Sequence, residues 1–127
     1  MPGSMAASFK RVAAIAAKAK LPGLAESVSY GTPSLKVAGK FLARMKDADT
    51  LVLRCPLEEK ELLMESAPEI YFETDHYKGW PAILVRLAKI DAGELRHRLA
   101  LAWRMQAPRR LVAEFEKTNE PGKRARK

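Results

Sequence analysis

A chain of 127 residues is long enough to bury one hydrophobic core without disulfides or a metal and short for two, so one domain is expected. Its 23 Lys and Arg against 15 Asp and Glu give a net charge of +8, which suits an acidic partner such as nucleic acid and equally serves plain solubility. Cys55 is the only cysteine, so no intramolecular disulfide or multi-cysteine zinc site can form, and Lys10, Arg11 and Lys18 interrupt the Ala-rich N-terminal stretch, so no signal peptide or membrane span is expected and a cytoplasmic location is.

Residues 1–4 read as a leader or expression scar, and 5–117 as a single α+β domain. Phe9, Val12, Ala13, Ala16 and Ala19 recur at three- and four-residue spacing, which predicts a helix from about Met5 to Lys20, stopped by Leu21-Pro22-Gly23. A short extended piece ends at Tyr30, and Gly31-Thr32-Pro33 marks a bend. Three strand-like runs follow, Ser34–Ala38, Phe41–Lys46 and Thr50–Arg54, joined by connections too short for anything but antiparallel neighbours. Alternation predicts Leu35, Val37, Phe41, Ala43, Met45, Leu51 and Leu53 on a core face. The opposite face then receives Lys36, Arg44, Lys46 and Arg54, with Leu42 and Val52 between them.

Cys55-Pro56 opens a second helix, with Glu58, Glu59 and Glu61 near the positive end of its dipole and Pro68 closing it. Ile70–Glu73 reads as a strand edge and Thr74–Pro81 as a loop. Ala82–Leu87 is a late strand with Leu84 and Arg86 on one side. Asp91 caps a long helix whose buried stripe is Leu95, Leu99, Ala102 and Trp103, and Pro108 divides it from a short helix bearing Leu111, Val112 and Phe115. Residues 118–127 read as a disordered basic tail. From Lys117 onward, Lys117, Lys123, Arg124, Arg126 and Lys127 stand against Glu120, so this end holds half of the net charge.

Ser-Tyr-Gly-Thr-Pro at 29–33, Arg54-Cys55-Pro56, Asp75-His76-Tyr77-x-Gly79-x-Pro81 and Trp103-x-x-x-Ala107-Pro108-Arg109-Arg110-Leu111 together resemble the MmcQ/YjbR-like family of small bacterial proteins. The resemblance runs from about Phe9 to Phe115. It implies a compact α+β fold, an antiparallel sheet made of a meander and a late strand pair with flanking N- and C-terminal helices. The family is compared with a double-wing DNA-binding architecture and labelled DNA-binding on that comparison, a fold-level analogy. It carries no catalytic residues over to this chain.

The leading expectation is a non-enzymatic protein that binds nucleic acid, DNA above all, through phosphate contacts. Lys36, Arg44, Arg54 and Arg86 project from strands roughly 4.8 Å apart, Lys78 and Trp80 stand at the adjoining loop, and Arg109, Arg110 and the tail are auxiliary. Against it stands neutralisation of the four cations by helix carboxylates such as Glu65 or Glu94. The alternative expectation is a small-ligand or protein-interaction module whose pocket is formed by Tyr30, Asp75, His76, Tyr77 and Trp80. Asp75 beside His76 also suggests acid/base chemistry, but sequence neighbours seldom point the same way and no nucleophile motif accompanies them. No metal site and no cofactor are expected, since His76 and His97 lack ligand spacing. Cys55 at a helix start is either a reactive thiol or a small packed residue.

Overall fold

The computed structural model describes residues 4–118. Helix α1 (Met5–Lys18) begins at Ser4, whose hydroxyl accepts the backbone N–H of Ala7 at 3.1 Å and so satisfies a donor that the first turn leaves free. Ser4 therefore takes part in the domain, although the sequence reading groups it with the leader. Apart from Thr118, the expected tail lies outside the described residues.

Six strands form one sheet: β1 (Leu24–Ser29), β2 (Thr32–Val37), β3 (Lys40–Met45), β4 (Thr50–Arg54), β5 (Tyr71–Phe72) and β6 (Ala82–Arg86), in the order β1-β2-β3-β4-β6-β5 with every neighbour antiparallel. The first two hairpins close on two-residue loops. Ser29 pairs with Thr32 across Tyr30-Gly31, and Val37 with Lys40 across Ala38-Gly39. All four loop residues have positive φ (53°, 79°, 51° and 79°), the geometry that matches the twist of the flanking strands. The short extended piece before Tyr30 is thus β1, a full partner of β2. Its sequence, Leu-Ala-Glu-Ser-Val-Ser, alternates weakly because an edge strand of this sheet buries little on either side.

Between β2 and β3 the pairing steps from Leu35↔Ala43 to Lys36↔Phe41, which leaves Leu42 as an extra residue in a β-bulge. Strict alternation sets Phe41 in the core and Leu42 outside; the bulge reverses both. Leu42 and Ala43 enter the main core, and Phe41 turns to the other face against Val52, Ala82 and Leu84.

The main core lies between one face of the sheet and the helices. α1 contributes Phe9, Val12 and Ala16; α3 (Ala92–Gln106) contributes Leu95, Leu99, Ala102 and Trp103; α4 (Arg109–Thr118) contributes Leu111; and α2 (Leu57–Ser66) lends Leu63 and Met64. Asp91 caps α3 by accepting the N–H of Glu94 at 2.8 Å. Trp103, wholly buried, gives its indole N–H to the carbonyl of Pro22 at 2.8 Å, so its polar atom is satisfied within the apolar layer. The chain is a single α+β domain with an antiparallel sheet and flanking helices. No helix among the described residues is long and apolar enough to cross a membrane.

Candidate functional site

Among the described residues, no α-helix packs a core against the second sheet face. Its apolar floor is Val52, Ala82 and Leu84, with Phe41, Phe72 and Tyr77 packed against it. Cross-strand pairing sets Ser34, Arg44, Val52, Leu84 and Phe72 in one row, with the pairs Lys36–Phe41 and Arg54–Ala82 next to it along the strands. Lys36, Arg44 and Arg54 line one concave cavity of about 700 Å³, shared with Tyr30, His76, Tyr77 and Trp80.

The three cations are held differently. Arg44 is fixed: its guanidinium donates to the Tyr77 hydroxyl at 2.8 Å, to the Met45 carbonyl at 3.2 Å and to Thr32 Oγ1 at 3.3 Å, and lies 5.2 Å from the centre of the Tyr30 ring. Lys36 and Arg54 make no hydrogen bond or ion pair among the described residues, and Arg54 Nε is out of solvent without an acceptor. A buried guanidinium N–H with no partner costs about 1–3 kcal/mol.

The aromatic wall is placed by a residue that sequence reasoning missed. Lys60, on α2, is only 2% exposed. Its ammonium has three donors, and each finds an acceptor: the Tyr77 carbonyl at 2.7 Å, the Trp80 carbonyl at 2.9 Å and Glu73 Oε1 at 2.8 Å. This ties the Asp75–Tyr77 3₁₀ turn and the segment to Trp80 onto α2, and His76 meets Tyr77 edge to face at 4.8 Å. In sequence, a lysine among glutamates reads as a solvated helix face.

Other expected contacts lie elsewhere. Arg86 shares the face but sits four residues along β6 from Ala82, roughly 14 Å away, where it stacks 4.0 Å from the centre of the Phe72 ring and donates to the Pro68 carbonyl. Lys78 is exposed outside the cavity lining, and Arg109 and Arg110 are exposed at the start of α4, whose Leu111 packs in the main core. Asp75 does not line the cavity, and no hydrogen bond joins it to His76 among the described residues. Nor do helix carboxylates cover the cations: Glu94 accepts from the Tyr71 hydroxyl, and the ion pairs among the described residues are Lys60–Glu73, Arg98–Glu59 and Arg104–Glu116. Cys55 is buried in the main core as a small packed residue, and desolvation, with Glu59 nearby, pushes its thiol up to about 11. Burial, then the bond to Glu94, raises the Tyr71 phenol as well.

The sequence model of the YjbR family matches residues 19–105, a span from just after α1 to the last turn of α3 that includes all six strands and the cavity. The chain belongs to the YjbR family. This YjbR domain is also similar to three mycobacterial proteins described as uncharacterized, one from Mycobacterium bovis and two from strains of Mycobacterium tuberculosis. Each is 46% identical over 56 residues, 44% of this chain, and the match spans 43% of each relative's length. No solved structure matches the YjbR chain.

Proposed function

We propose that this YjbR domain is a nucleic-acid-binding module, most readily for DNA, that takes phosphates in the cavity of the second sheet face and has no reaction of its own. The observation that carries the reading is the convergence of Lys36, Arg44 and Arg54 on one concave surface with no counter-ion among the described residues. Cations left uncompensated on an apolar floor form a focused positive potential, and a phosphate group satisfies both the charge and the guanidinium N–H groups. The absence of a hydrogen bond between Asp75 and His76, and the place of Asp75 outside the lining, support a binding role over acid/base chemistry.

Fluorescence anisotropy with labelled DNA across a salt series tests this. Exchanging Lys36, Arg44 and Arg54 together for Gln is expected to weaken binding at least ten-fold and to lower the slope of log K against log salt by about one for each phosphate no longer neutralised. Binding that is unchanged in this variant removes the cavity from consideration. The concavity favours a second reading, a small anion held alone, which predicts that a free nucleotide binds where DNA does not.

A further inference from the structure

We infer that the cavity accepts one unpaired nucleotide, with its phosphate on Lys36 and Arg54 and its base stacked on Trp80 and Tyr30, so that the domain selects unpaired nucleotides over duplex. This rests on the reading of the cavity as a phosphate site and adds what occupies the rest of it. Six large apolar or aromatic residues stand well exposed among the described residues: Val28, Tyr30, Leu57, Leu62, Trp80 and Met105. Three of them, Val28, Tyr30 and Trp80, line this single cavity, with Tyr30 89% and Trp80 58% exposed.

Both aromatics are held out by structure elsewhere. Tyr30 has positive φ in the first hairpin turn, where its ring stands near Arg44. Trp80 is fixed through its carbonyl by Lys60, which leaves its indole free. A duplex keeps its bases stacked and paired, so it meets such a site only with its backbone. An unpaired nucleotide offers a ring to the aromatic side chains as well as a phosphate to the cations. The volume, about 700 Å³, falls within the range of pockets that enclose a small ligand and suits one such unit. Arg44, held by Tyr77, Met45 and Thr32, acts as the fixed wall between the two halves, and Arg54, which also lines the cavity, is the guanidinium left for the phosphate.

The test uses the full chain with three probes: a fluorescein-labelled dT12 strand, the same strand paired with dA12, and thymidine 5′-monophosphate. The single strand is expected to bind more tightly than the duplex, and Trp80→Ala to weaken single-strand binding roughly ten-fold, a typical loss for one stacked base. Duplex binding and the salt slope are expected to stay unchanged in that variant, and Trp80→Phe to restore most of the lost affinity. Thymidine 5′-monophosphate is expected to quench the fluorescence of Trp80 and not that of buried Trp103, read in a Trp80→Phe chain. Equal affinity for strand and duplex, with no effect of Trp80→Ala, overturns the inference and leaves the phosphate reading standing. Quenching by the mononucleotide without binding of either DNA sustains the inference for a free nucleotide and removes the nucleic-acid reading. Failure of all three probes overturns both.

Discussion

Lys60 shows how one side chain sets the position of several others. An ammonium out of water is tolerable only when its donors are all used, and Lys60 spends them on two backbone carbonyls and Glu73. Lys60→Met is therefore expected to lower stability by about 3 kcal/mol, seen as a lower urea midpoint at unchanged slope, and to weaken ligand binding although Lys60 does not line the cavity. Cys55 and Tyr71 give a prediction in pH. Both groups have folded-state pKa values above their ordinary ones, so the neutral forms stabilise the fold, fully so below the unfolded values of 9.0 and 10.0. Above about pH 9 the unfolded chain ionises first and stability falls. Thermal melts from pH 8 to 11 are expected to show that decline; Cys55→Ala removes its early part and Tyr71→Phe its later part. Native Cys55 is expected to resist iodoacetamide at pH 7 and to label on unfolding. At this scale the sequence exposes charges and aromatics but not their partners. Lys36, Arg44 and Arg54 are found by alternation alone, whereas the role of Lys60 depends on Glu73, Tyr77 and Trp80 in a later segment of the chain.

Among the elements, the β2–β3 hairpin is open to reading because turn chemistry is local, whereas the β1–β2 hairpin reads only as an extended piece and a bend. Gly31 and Gly39 each supply φ near +79° at the second loop position, and the first position is filled by Tyr30 and Ala38, residues that strain to adopt it. Ala38→Asn is expected to stabilise by about 0.5–1 kcal/mol and raise the melting temperature by a few degrees, because Asn tolerates that conformation better. Helices α3 and α4 are likewise legible, since their apolar spacing agrees with a single buried side, and β6 is legible as a continuous apolar run buried on both faces. The bulge at Leu42 is not. It follows from how β2 and β3 fit over the core, and alternation carries no sign of a residue to be skipped, so Phe41 and Leu42 are read on the wrong faces. β1 is weakly marked for a related reason: an edge strand with little buried on either side is under little pressure to alternate.

For the whole molecule, charge and shape separate. Half of the net charge belongs to residues 117–127, yet the cavity is built entirely from residues 28–82. Ending the chain after Thr118 is expected to reduce the salt dependence of DNA binding while keeping the preference for unpaired strands, as anisotropy titrations of the two chains will show. The family match from 19 to 105 contains the cavity and leaves out α1 and α4, consistent with these helices serving the core rather than the site.

Because the helices pack on one side of the sheet and the candidate site lies on the other, foldability and recognition are assigned to opposite surfaces of the same strands. Alternate residues along β2, β3 and β4 answer to different demands, one set to packing and the next, on the proposed function, to the ligand. On the proposed function, substitutions at Lys36, Tyr30 or Trp80 are expected to change what is bound with little change in melting temperature. Such a scaffold can diversify its ligands one position at a time without first acquiring a reserve of stability.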